Sequence, residues 1–390
     1  MPEDRFHRKP WRVDWFDPEI EHRKYTKAFM QDEDYSESVN LYFGDLHKHS
    51  ELSPCAHVNP YNGSLAECYR YAREVEGTDF LAICDHAEHL SEGQWRESMG
   101  AARTHTVPGE FVAWPAVEWA TGLYGHRNIY YADYAVPLIS GKTDPTPPRL
   151  WARLRELSVG ALTIPHHTAR ELGCDLTRTD PDLEPAFEIY SGWGNEEYYG
   201  APKQDTDRSF TRNFYVDVLL RGFKMGVVGG GDGHPAKPAT CALTGIYARE
   251  LTLEGLFDAL RRRRTFATTG ARIKLDFHIN GLPMGSAVAF NQHEIDDLFP
   301  LEIGVAVQGT APIERVDIIE NGQVIHTKTK PRAAAELFSY RWFRAARPTD
   351  GVHHIGSIAN VSRFVYVRVT QTDGHLAWSS PIWLDFCYDE

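Results

Sequence analysis

The sequence predicts an α/β protein carrying an all-β C-terminal part, and three observations support that class. Short apolar runs recur between residues 41 and 270, each leading into a histidine or carboxylate, as buried parallel strands do when their ends line a site. Segments with helical spacing lie between them. Beyond about Thr265 the helical period disappears, and apolar and polar residues alternate between turn signals such as Asn280-Gly281, Asn321-Gly322 and Asp373-Gly374. The expected division is an arm over residues 1–40, a main α/β domain over 41–270, and a C-terminal antiparallel β-sandwich over 271–390.

The arm is rich in charge and aromatics without a period, and Trp11, Trp15 and Phe16 are its expected anchors. A first strand then ends in Asp45-Leu46-His47-Lys48-His49. Successive strand side chains point to opposite faces, so His47 and His49 project together with Lys48 turned away. Ser64 and Glu67 form a capping-box pair that opens a helix, Leu65, Tyr69, Ala72 and Val75 repeat at helical spacing, and Gly77 stops it. The next strand, Phe80 to Cys84, leads into Asp85-His86, which completes a βαβ unit.

The alternation continues. Val112 to Val117 leads to Glu118, and a helix over Arg149–Leu157 precedes the strand Ala161–Ile164, which delivers His166-His167. Phe187 to Tyr190 reads as a further strand containing Glu188. A helix over Phe214–Arg221 precedes Met225 to Gly231, which delivers Asp232-Gly233-His234. Leu253, Leu256, Phe257 and Leu260 mark another helix, ending in four arginines that complement its dipole.

Composition narrows the function. With 41 Lys and Arg against 54 Asp and Glu, the net charge of −13 opposes a sequence-independent grip on nucleic acid or an anionic membrane. Apolar runs fall short of the roughly 20 residues that cross a bilayer. The N-terminus lacks the apolar stretch of a secretory signal, and the six cysteines are scattered without a Cys-x-x-Cys pair, so a reducing cytoplasm is the expected location. Neither a Ser-His-Asp arrangement nor a phosphate-binding P-loop is evident.

The candidate ligands are His47, His49, His86, Glu118, His126, His166 or His167, Asp232 and His234. A single tetrahedral cation cannot use them all, so two or three divalent metals are expected, and mixed imidazole and carboxylate donors favour zinc, manganese or iron. Strand alternation admits one of His166 and His167 to the metals, with His166 the favoured one. Asp45 and Asp85 read either as acceptors orienting an imidazole or as strand-end caps. Arg127 and Arg170 are the favoured anion clamps, while Glu188 and Glu196 stay open. The run Gly229-Gly230-Gly231 suggests close backbone approach beneath the metals.

This ordered set, from Asp45-Leu46-His47-Lys48-His49-Ser50 through Cys84-Asp85-His86, Glu118, His126, Ile164-Pro165-His166 and Gly231-Asp232-Gly233-His234, resembles the PHP (polymerase and histidinol phosphatase) superfamily over residues 40–270. The tail segments Arg264–Gly270 and Trp378–Ile382 are similar to an uncharacterised branch with a C-terminal β-domain. The resemblance implies a distorted (β/α)7 barrel and hydrolysis of a small anionic, phosphorylated substrate by a metal-bridged hydroxide. It assigns His47, His49, Glu118 and Asp232 to one metal, and Glu118, His126 and His166 to a second. A third would have His86 and His234, with Cys55 or His57 near the place of its remaining ligand. Asp232, Glu118 and His234 are the expected catalytic residues, together with Arg127 as the anion clamp. Two other readings stay open: metal-dependent hydrolysis of an amide or ester, and a binding protein with a structural metal site.

Overall fold

The computed structural model describes residues 39–55, 63–170, 173–205, 213–233, 237–291, 301–342, 353–355 and 358–388. The expected arm up to residue 38, together with His57 and His234, lies outside the described residues.

Strand β1 (Asn40–Lys48) lies between β2 (Phe80–Ile83), which runs parallel to it, and β9 (Leu243–Ala248), which runs antiparallel. The helix expected after β1 is present as α1 (Leu65–Arg70), with the reciprocal Ser64–Glu67 capping box formed, and it runs on as a π-helical turn, Tyr71–Val75. Helix α2 (Glu92–His105) was not anticipated. Its signal is a second capping box, Ser91 with Gln94, followed by Trp95, Met99 and Ala102 on the buried side.

Strand β3 (Val112–Thr121) continues the parallel run beside β2 and carries Glu118 within it rather than after it. The sheet then departs from the expected all-parallel pattern. Three residues, Gly122 to Tyr124, separate β3 from β4 (Gly125–Tyr131), and so short a link allows only an antiparallel return, because a parallel crossover needs about a dozen residues or more. Strand β5 (Ala161–Pro165), reached through α3 (Pro147–Arg155), is antiparallel to β4. A separate three-stranded sheet holds β6 (Ala186–Ser191), β7 (Gly194–Asn195) and β8 (Gly226–Gly229), the last preceded by α4 (Tyr215–Leu220). Among the described residues no closed barrel forms, and the main hydrogen-bonded path stays open from β12 (Leu282–Pro283) to β5.

After α5 (Leu253–Arg261), β10 (Thr265–Thr268) pairs with β9 on one side and with β18 (Leu376–Ser379) on the other. Through β18 the sheet runs on into β17 (Ile358–Gln371), β14 (Leu301–Glu320) and β11 (Lys274–Ile279), so the C-terminal strands share one mixed sheet with β1. Strands β13 (Ala287–Phe290), β15 (Gln323–Trp342), β16 (His353–Ile355) and β19 (Ile382–Tyr388) pair off that path. The Asn280-Gly281 and Asn321-Gly322 turns carry positive φ at both residues, as the hairpin signal requires.

Apolar packing follows the same continuity. Phe43, Leu243 and Phe266 join Leu275, Ile303, Val316, Val367 and Leu384 in one buried cluster. Burying one such side chain contributes about 1.5–3 kcal/mol, so this seam ties the two halves together independently of the ladder.

Candidate metal centre

The strand ends bring most of the expected ligands together. Donor atoms of Glu118, His126, His166 and His167 lie within 4.8 Å of one another, as do those of His47, His166, Glu188 and Asp232, of His47, His49 and Glu118, and of His49, Cys55 and His86. Glu118 sits at the middle. Its Oε1 lies 2.5 Å from Nδ1 of His126 and 3.0 Å from Nε2 of His166, while Oε2 lies 3.2 Å from Nε2 of His49 and 3.3 Å from Nδ1 of His86. One carboxylate therefore faces two donor groups, the arrangement a bridging ligand needs.

Backbone hydrogen bonds hold this convergence. Among the described residues Asp45 has no hydrogen bond to an imidazole. It accepts from the backbone N–H groups of His47 and Gly231, at 2.9 and 2.8 Å, and of Ala239, at 3.0 Å, clasping the end of β1 to the chain that carries Asp232. Lys48, also buried, donates to the Gly233 carbonyl at 2.7 Å. Asp85 accepts from the Ser50 and Ser53 hydroxyls, and Ser53 Oγ lies 3.1 Å from Nδ1 of His49, so Asp85 orients that ring through a serine. The glycine run behaves as expected: a Cβ on Gly230 would meet Glu188 Oε2 at 2.4 Å and the Cβ of His47 at 2.5 Å.

Two site residues hold left-handed backbone, Asp232 at φ 44° and His167 at φ 35°. The latter overturns the alternation argument that admitted only one of the two histidines. Strand β5 ends at Pro165, so the period-two rule no longer applies, and the turn swings His167 until its Nε2 is 3.3 Å from Nδ1 of His126. Both histidines reach the cluster.

Arg127 is not brought to the cluster. On β4 it pairs with Trp119, on the face opposite Glu118 and His126. It is fully buried, donates Nε to Glu184 at 2.5 Å, and gives its terminal nitrogens to the Asp175 and Tyr124 carbonyls. Its guanidinium thus neutralises a buried glutamate. Arg170 is better placed: it is 8% exposed and stacks 4.4 Å from the Trp193 ring centroid, and Trp193 Nε1 donates to Asp232 Oδ2. Glu188, unresolved in the sequence, lies inside the cluster with Oε2 3.0 Å from Nδ1 of His47.

The electrostatics are those of a cation site. Burial opposes ionisation of Glu118, but His86, His126 and His166 outweigh it and hold its carboxyl well below the usual range. Burial also opposes charging of His86, yet Glu118 and Cys55 push it up to about 9. Burial, reinforced by neighbouring histidines, depresses His166 strongly and takes His167 down to about 4, keeping both rings neutral and able to donate a lone pair. Burial pushes Glu188 up to about 8 against the pull of His47. His47 Nε2, His166 Nδ1, Glu118 Oε2 and Glu188 Oε1 are buried without a hydrogen-bond partner among the described residues. Leaving several inward-facing donors unsatisfied is costly, and divalent cations would satisfy them together. The residues therefore fit a metal centre by donor type, burial and convergence.

Comparison with known proteins gives the following likenesses. A family described as "Protein of unknown function (DUF3604)" matches residues 78–191 and 231–296. An uncharacterised protein of Chlamydia muridarum is 30% identical over 388 residues, and one of Chlamydia pneumoniae is 28% identical over 374 residues, each covering 89% of this chain. The chain spans 57–58% of the length of these relatives. Among solved structures, a two-domain protein from Bacteroides vulgatus described as containing a predicted PHP-like metal-dependent phosphoesterase is similar over 88% of this chain and 95% of its own, at 11% identity and a TM-score of 0.40. PsfC from Pseudomonas syringae is similar over 58% of this chain and 91% of its own, at 18% identity and a TM-score of 0.41. No described helix is long and apolar enough to cross a membrane. On its own geometry the protein is a mixed α/β chain whose histidines and carboxylates form a candidate site for divalent metal.

Proposed function

We propose that the protein is a metal-dependent hydrolase whose centre holds two or three divalent cations, zinc, manganese or iron, and whose substrate is a small phosphorylated anion. The observation that carries this reading is Glu118, buried with its two oxygens turned to different imidazoles. Glu118, His126, His166 and His167 would hold one cation, and His47, His49, Glu118, Glu188 and Asp232 a neighbouring one. His49, Cys55 and His86 would serve a third, together with His234 and with His57 as the alternative to Cys55. Bound cations would acidify water and polarise a phosphoryl oxygen.

The chain's own residues do the positioning. Asp45 and Lys48 fix the backbone on either side of Asp232. Arg170, stacked on Trp193 beside Asp232, offers the charge that an anionic substrate would meet. Residues 41–270 would form the hydrolase domain and residues 271–390 a β-domain packed against it. The phosphoester preference rests on the ordered PHP-like motifs, since the same donors suit a carbonyl substrate.

The test is a substrate panel on protein stripped with chelator and reloaded with zinc, manganese or iron(II). Turnover of generic phosphomonoesters that is lost in Asp232→Asn supports the proposal. Silence there with hydrolysis of carboxylic esters or amides moves the reading to carbonyl chemistry. Failure to take up any of the three metals overturns it.

A further inference from the structure

One continuous stretch, Glu188 to Glu197, meets the centre at His47, at Asp232 and beside the His166-His167 turn, and then leaves it. Glu188 contacts His47. Gly192 donates its N–H to the Gly231 carbonyl at 3.0 Å, and a Cβ there would meet that oxygen at 2.8 Å, so the approach depends on glycine. Trp193 donates to Asp232. Glu196 is buried, and its Oε2 accepts from the Thr168 hydroxyl at 2.9 Å and the Ala169 N–H at 3.3 Å, directly after His166-His167.

Glu197 then points the other way. Fully buried, it accepts from Arg368 Nη1 at 3.0 and 3.1 Å, from the Tyr366 hydroxyl at 2.8 Å and from Trp378 Nε1 at 2.8 Å. These three donors stand on β17 and β18. Arg368 is balanced in turn by Asp317 on β14, at 2.9 Å. Carboxylate, guanidinium, phenol and indole thus form a buried network spanning the two halves of the chain, in which Arg368 Nε alone among the guanidinium nitrogens has no hydrogen-bond partner among the described residues. Such a network is rigid, because breaking any member strands the others.

We infer that Glu188–Glu197 is a positioning strut through which the C-terminal β-strands set the metal centre: Glu197 is its anchor, and Trp193 and Glu196 are the points that fix Asp232 and the His166-His167 turn. This rests on the proposed metal centre and goes beyond it, making residues of the C-terminal strands determinants of metal geometry although none of them contacts a ligand in the described network. Trp193, Glu197, Tyr366 and Arg368 act through other groups and are positioning residues.

The experiment uses the full chain loaded with cobalt(II), read by its visible absorption bands and by titrated affinity, beside the thermal unfolding curve. Trp193→Phe keeps the ring and removes the donor to Asp232; it is expected to shift the bands and weaken cobalt binding by on the order of 10–100-fold. Tyr366→Phe removes a single hydroxyl from the anchor and should shift the same bands with a smaller loss, about 3–10-fold, while unfolding stays one transition. The double change Arg368→Met with Glu197→Gln removes the central pair together, leaves Asp317 to Arg315 at 3.0 Å, and should exceed Tyr366→Phe in both respects. Wild-type spectra and affinity in Trp193→Phe and Tyr366→Phe overturn the inference and leave the metal reading intact. A wild-type chain that takes up no cobalt overturns the metal reading and the strut with it.

Discussion

Glu188 Oε2 lies 3.0 Å from Nδ1 of His47, joining β6 to the end of β1 across 141 residues of sequence. Nε2 of His47 faces Glu118 and Asp232, 3.8 and 3.7 Å away, and Nδ1–H donation to the glutamate would leave its lone pair for a cation held there. Glu188→Gln keeps the size but replaces the carboxyl group that faces Nδ1 and orients this ring. Metal affinity should fall about 10–100-fold, with little change in far-UV circular dichroism. Isothermal titration with zinc checks it; unchanged affinity would remove Glu188 from the centre.

Metal should also stabilise the fold. Glu118, Glu188 and Asp232 bring carboxylates together in a buried space, so cations that bind only the folded chain raise its stability by mass action. At a free metal concentration one hundred times the dissociation constant, the gain is about 2.7 kcal/mol for a single site. Differential scanning fluorimetry with and without chelator measures it, and an unmoved melting temperature would count against a filled centre.

Arg127 separates a structural arginine from a substrate clamp. Arg127→Met strands the Glu184 carboxylate, which is fully buried and accepts Nε at 2.5 Å. Urea unfolding should show a loss of about 3–5 kcal/mol, and Arg127→Met combined with Glu184→Gln should recover much of it. Metal affinity should stay at the wild-type value in the double variant. Loss of binding there would return Arg127 to the active site.

His278 gives the C-terminal strands a pH response. Its ring lies over Gly304, where a Cβ would come within 2.1 Å, and burial takes its pKa down to about 4. Because the folded value lies below the unfolded one of about 6.5, the unfolded chain binds more protons between them. The contribution is complete above about pH 6.5 and is lost as pH falls through 4, at most about 3 kcal/mol. Denaturation midpoints from pH 7 to 4 should fall less steeply in His278→Gln than in the parent, and parallel curves would refute the assignment.

The candidate ligands that a reader can find in the sequence are those on strands or a few residues past their ends. His47, His49, His86, Glu118 and Asp232 each end or interrupt an apolar run, and run and ligand together are visible without a structure. His167 was set behind His166 because strand alternation was extended two residues past Pro165, to a position where the backbone turns left-handed. Glu188 was unreadable for a different reason: a lone glutamate in a strand looks the same whether it faces solvent or a metal, and only pairing of β6 with β8 turns it toward His47. Trp193 and Glu197 belong to a loop with no period, so their partners, Asp232 and Arg368, become evident only in three dimensions. Direction was the other loss. The apolar runs of β4, β5, β9 and β10 reveal burial, and burial alone does not distinguish a parallel neighbour from an antiparallel one.

Strand β10 is bonded along both flanks, to β9 through Thr265–Thr268 and to β18 through Phe266–Thr268. Cutting the gene near residue 270 to isolate the metal-binding half would therefore strip one flank bare, leaving a row of unanswered amides and carbonyls beside the newly wetted ring of Phe266. Such a fragment invites edge-to-edge stacking into aggregates, and the two halves are better regarded as a single inheritance unit than as interchangeable modules.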